Sequence, residues 1–111
     1  MAELRELARF VHDLTWEELP ESVRQTAVLR VLDLVSVSMG AVNDGLARTA
    51  LDSYRQRSGT GPCSVWGMDQ LLPMAEAARV NAMLAHTLEL DDVHTASKTH
   101  GSASIIPAAW A

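Results

Sequence analysis

Leu4, Leu7, Ala8, Val11 and Leu14 recur at helical spacing, with Arg5, Glu6, Arg9 and Asp13 between them. This pattern predicts an amphipathic helix over residues 3–14. Thr15-Trp16-Glu17-Glu18 then has the spacing of a capping box, and Pro20 restricts it to a short turn before a second helix. From Val23 to Met39 the chain is apolar around most of a helical circumference, interrupted by Arg24, Gln25, Arg30 and Asp33, so this helix should be buried on several sides. Gly40, Asn43, Asp44 and Gly45 mark a loop, after which Leu46, Ala50, Leu51 and Tyr54 predict a third helix. Ser58 to Pro62 breaks the chain again, and Cys63 to Gly67 is the one stretch that reads as extended. Pro73 suits a first helical turn. The alanine-rich run Met74–Leu90 predicts a central helix whose small side chains admit close neighbours, and a last apolar helix begins at Ser104. The expected class is all-α, about five helices with a short extended segment near 63–67.

Composition narrows the partners. The 111 residues are enough for one small domain, which buries roughly two thirds of its unfolded surface. Hydrophobic residues already make up 48% without glycine, a surplus that predicts apolar surface destined for contact outside this stretch. The net charge is -5 and the basic residues are scattered, which argues against nucleic acid. The one cysteine, Cys63, allows no internal disulfide and no CxxC motif, and the N-terminus lacks a signal-peptide layout. No apolar run approaches the ~20 residues of a membrane span. The expectation is a cytoplasmic protein without membrane contact.

The chemistry is concentrated in Leu84–Pro107. His86, His94 and His100, the carboxylates Glu89, Asp91 and Asp92, and the hydroxyls of Thr95, Ser97, Thr99, Ser102 and Ser104 all fall there. If the helix runs through Leu90, His86, Glu89 and Asp92 share one stripe of its last turn. Carboxylates at a helix C-terminus oppose the macrodipole, so a cation, an imidazolium or a bound molecule should compensate them. Imidazole titrates near ~6.5, which suits acid–base work near neutrality. The bland alternative is that Asp91 and Asp92 are solvated loop residues or caps. Asn81 and His86 lie on or beside the apolar surface and each needs a hydrogen-bond partner if buried. His12 reads as a surface residue and Cys63 as packing.

The succession Cys63-Ser64-Val65-Trp66-Gly67, then Ala77 to His94 (AARVNAMLAHTLELDDVH), then His100-Gly101-Ser102 and Ile106-Pro107-Ala108-Ala109, resembles the MmgE/PrpD family of 2-methylcitrate dehydratase, cis-aconitate decarboxylase and iminodisuccinate epimerase relatives. The first helices resemble that family as well. The resemblance implies that residues 1–111 are the N-terminal portion of a larger helical domain, with the remainder and a lid domain absent. It further implies a homodimer acting on di- or tricarboxylates, with no metal and no other cofactor. Carried onto this sequence, it implies catalytic roles for Asp91, Asp92 and His100, and substrate contacts for Glu89, His94, Lys98 and Ser102. Val93 stands where the family often has threonine, and Gly101 where it often has proline. Which carboxylate works is left open by spacing, as is the choice among dehydration, decarboxylation and epimerisation.

Two other readings remain open at this point. His86, Asp91, Asp92, His94 and His100 are competent metal ligands, although no HExxH or Glu-x-x-His motif is present. The 111 residues could also be a non-catalytic helical packing or dimerisation module.

Overall fold

A computed structural model describes residues 2–111. Among them are five helices, α1 (Ala2–Asp13), α2 (Glu21–Ala41), α3 (Gly45–Ser58), α4 (Met74–Thr87) and α5 (Gly101–Trp110), and two short strands, β1 (Cys63–Ser64) and β2 (Leu71–Leu72). The all-α class expected from the periodicity is what the chain adopts. Local chemistry sets most boundaries. Thr15 donates its backbone N–H and its hydroxyl to Glu18, and these two bonds hold the Glu18 carboxyl below its usual range. Pro20 and Pro73 occupy the N-cap positions of α2 and α4, where a missing N–H costs nothing. Asp44 caps α3 by accepting from the Leu46 N–H at 2.8 Å.

α4 is the central helix. It packs on α2, α3 and α5, and Ala77, Val80, Leu84 and Ala85 on it are fully buried. Small side chains at 77 and 85 permit that close approach on several sides. Leu34 from α2, Leu51 from α3, Leu72 from β2 and Ala103 from α5 complete the core around it.

β1 and β2 pair antiparallel, Cys63 opposite Leu72 and Ser64 opposite Leu71. The extended reading of 63–67 is thus partly met, and the partner strand lies in a stretch that carried no strand pattern. Asn81 fixes this ribbon to α4. Its Oδ1 accepts from the Trp66 N–H at 2.9 Å and its Nδ2 donates to the Ser64 carbonyl at 3.1 Å, at zero exposure. Asn81→Leu should therefore cost about 2 kcal/mol, because the buried Trp66 N–H would be left without a partner and the part-buried Ser64 carbonyl would lose one. Chemical denaturation with an unchanged m-value is the check.

The ends of the chain depart from the simple pattern. α1 buries none of its residues, and Leu4, Phe10 and Val11 are each more than 60% exposed, as are Leu29 and Leu32 of α2. The radius of gyration is 15.7 Å, against roughly 13 Å for a compact chain of this length. Much of the exposed apolar surface lies on these two helices, with Leu46, Met74, Leu90 and Ile105 adding to it elsewhere. Trp66 and Trp110, distant in sequence, meet edge to face with centroids 5.9 Å apart. Among the described residues no single helix is long and apolar enough to cross a membrane.

Candidate functional site

Two boundaries decide the site. α4 ends at Thr87, with Leu88 as C-cap, and does not continue to Leu90. Glu89 follows in the left-handed region at φ 50, so the stripe expected for His86, Glu89 and Asp92 does not form. α5 begins at Gly101, three residues earlier than its apolar pattern indicated, with His100 at the N-cap. The C-terminal turn of one helix and the first residue of the next are thereby brought to a common point.

That point is occupied by Asp91. Its carboxylate is fully buried, with Oδ1 3.0 Å from His86 Nδ1 and Oδ2 3.0 Å from His100 Nδ1. Burial by itself would raise the Asp91 carboxyl. The hydrogen bonds from the two imidazoles and from its own backbone outweigh burial, and the carboxyl lies below its usual range. An ionised Asp91 has only acceptors to offer, so each ring must carry its proton on Nδ1. The rings stand 4.7 Å apart at 73°. Each is more than a third exposed, and both line a cleft of about 610 Å3 together with Ala82, Thr99, Ala103 and Ile105.

Asp92 faces elsewhere. It accepts an ion-paired hydrogen bond from Arg30 of α2, which ties the loop carrying Asp91 to a helix 62 residues away in sequence. Arg30→Ala should leave the fold intact and loosen that loop, with faster amide exchange across residues 88–93. Because the pair is partly exposed, its loss should cost no more than about 1 kcal/mol.

The remaining expected contacts are dispersed. His94 bonds back to Ser97 through Nδ1 at 2.7 Å, and its N–H donates to the Thr99 carbonyl at 2.9 Å, so it braces an exposed turn over 94–99. Lys98, at φ 52, sits in that turn. Neither side chain lines the cleft. Glu89 is exposed, and Ser102 is buried within the first turn of α5. The structure thus gathers Asp91 and His100 from the expected set, adds His86, and separates Asp92, Glu89, His94, Lys98 and Ser102 from them. His86 carried a signal in the sequence, as a polar residue beside an apolar face that required a partner.

His86, Asp91 and His100 also form the one group among the described residues whose donor atoms, all within 4.8 Å, could surround a cation. An ion bound there would have to displace both Nδ1 protons. The hydrogen bonds to Asp91 account for the closeness without one.

Two comparisons with known proteins bear on the family of this chain. The chain is 31% identical over 111 residues to a cis-aconitate decarboxylase-like protein, oryM, of Aspergillus oryzae; the match covers 96% of the chain and 22% of that protein. The chain therefore spans about a fifth of the length of this relative. A family model for the MmgE/PrpD N-terminal domain matches residues 5–111. The chain belongs to the MmgE/PrpD family.

Proposed function

We propose that this chain carries the acid–base centre of a carboxylic-acid lyase or isomerase, one that moves a proton at the carbon beside a carboxylate of a di- or tricarboxylic acid. The observation that carries the reading is the buried Asp91 carboxylate holding His86 and His100 at one cleft. In it, His100 Nε2 exchanges a proton with the substrate, and Asp91 orients the ring and offsets its charge. The first turn of α5 adds support, because the His100 side chain does not cap it. Its amide N–H groups and the positive end of the helix dipole favour a carboxylate beside His100.

Among the described residues no lysine or arginine lines the cleft. A di- or tricarboxylate needs cations, and in this reading the remainder of the family's architecture supplies them, in a metal-independent, cytoplasmic homodimer. Loss of water, by analogy with 2-methylcitrate dehydratase, is the preferred reaction; loss of carbon dioxide and inversion use the same proton-transfer groups. Asp92, bound to Arg30, has a positioning role, and Glu89, His94, Lys98 and Ser102 reach substrate in a form completed by other parts of the protein. A second reading, a non-catalytic packing module, draws on the exposed apolar faces of α1 and α2.

The test is turnover by the full-length protein after dialysis against a chelator, with citrate-like hydroxy acids and aconitate-like unsaturated acids. Turnover without metal supports the reading. Turnover restored only by a divalent ion would move it to a metal centre, and absence of turnover and binding in folded protein would leave the packing module.

A further inference from the structure

The two imidazoles at Asp91 are not equivalent. His86 lies in the last turn of α4 and His100 at the N-cap of α5. A helix C-terminus favours positive charge and an N-terminus opposes it. One carboxylate between two rings also balances one additional proton, not two. The two rings thus stand at helix ends of opposite polarity on one shared carboxylate. Both rings have Nδ1 turned to Asp91 and both residues line the same cleft, so Nε2 is the ring nitrogen each has left for a bound molecule.

We infer that His86 is a second catalytic residue, the proton donor that complements His100 as proton acceptor. The inference rests on the carboxylic-acid reading above and assigns a role to a residue that the motif resemblance did not. With a β-hydroxy acid in the cleft, His100 Nε2 takes the proton from the carbon beside the carboxylate, and the C–H electron pair becomes the new C=C bond. The C–O bond breaks with its electron pair going to oxygen, which takes the Nε2 proton of His86 and departs as water. His100 then holds one proton more and His86 one fewer. Solvent resets both rings, which are 36% and 49% exposed.

The two roles separate in a partial reaction. Full-length wild type, His86→Asn and His100→Asn are compared in D2O for overall turnover of the hydroxy acid and for exchange of its acidic C–H. His86→Asn is expected to lower kcat about 100-fold or more, the usual contribution of a positioned acid, with KM nearly unchanged and C–H exchange retained. His100→Asn is expected to lose both. Turnover by His86→Asn close to wild type, or equal loss of exchange and turnover, would overturn the assignment of His86. Wild type inactive on every such acid would overturn the parent reading, and the inference with it. If His86→Asn does not fold, 15N spectra of the wild-type imidazoles decide the point. Binding of tricarballylate, a non-reacting tricarboxylate, must then perturb Nε2 of His86 as well as of His100; a silent His86 refutes the proposal.

Discussion

Asp91→Asn in the full-length protein is expected to reduce turnover by about 10^3-fold, within the range that positioned acid–base groups contribute. The substitution preserves volume. A carboxamide has one acceptor atom where the carboxylate has two, so it cannot take an Nδ1–H from both His86 and His100. One ring is released from its tautomer and the negative charge between them disappears. The effect should fall on kcat far more than on KM, because no atom of Asp91 lines the cleft. Steady-state kinetics on folded variant and wild type check this.

The same substitution has a pH signature. Asp91 has a lowered folded-state carboxyl pKa, so it contributes stability that is fully present above its unfolded value, near ~3.9. That contribution is lost as pH falls through the lower folded value. Thermal melts of wild type from neutral pH into the acid range should show a loss in this window that Asp91→Asn, already less stable at neutrality, does not show. An identical acid profile for the two proteins would mean that the carboxylate is not bound by the imidazoles in solution.

The largest effect on stability is expected from Gly61→Ala. A Cβ at this position would lie 2.3 Å from the Pro73 nitrogen and 2.4 Å from the Leu72 carbonyl oxygen. Both are backbone atoms at the junction of β2 with α4, so neither can swing aside as the end of a side chain can. Relief requires moving the two-stranded ribbon away from the start of α4, which disturbs Leu72 in the core. Overpacking of this kind costs about 3 kcal/mol. Gly45→Ala, where nothing lies within 4 Å, is the control and should be near neutral or stabilising, since the residue already begins a helix. Denaturant midpoints of the two variants provide the comparison.

Much of the fold was legible because it is local. The 3.6-residue pattern defined the helices, the alanines of α4 indicated its central place, and Asn81 signalled a buried partner before Trp66 and Ser64 were known to supply one. The misread features are those set by distant contacts. Leu88-Glu89-Leu90 continues the helical pattern without glycine or proline, yet α4 stops because Asp91 is drawn between His86 and His100. Glu89 takes a left-handed conformation with no residue type to announce it. Leu71-Leu72 carries no strand pattern and becomes a strand only beside Cys63 and Ser64.

The candidate site divides along the same line. The residue types and their concentration in Leu84–Pro107 were visible in the sequence. The choice between Asp91 and Asp92 was not, because adjacent carboxylates have the same local pattern. Arg30, remote in sequence, separates them by claiming Asp92, and His86 enters only once the loop has folded back on α4. The amphipathic pattern of α1 was legible, but α2, expected to be buried on several sides, buries only Leu34, Ser38 and Ala41 and leaves Val28, Leu29 and Leu32 exposed.

Proton transfer by Asp91 and its two imidazoles at carbon beside a carboxylate, as proposed above, leaves an isotopic trace. The most direct measurement is NMR of di- and tricarboxylic acids incubated in D2O with the chelator-treated full-length protein, wild type and Asp91→Asn. Deuterium is expected at that carbon, in recovered substrate or in product, at a rate that Asp91→Asn lowers by about 10^3-fold. No deuterium with any such acid in folded wild type, or equal incorporation by the variant, would contradict it.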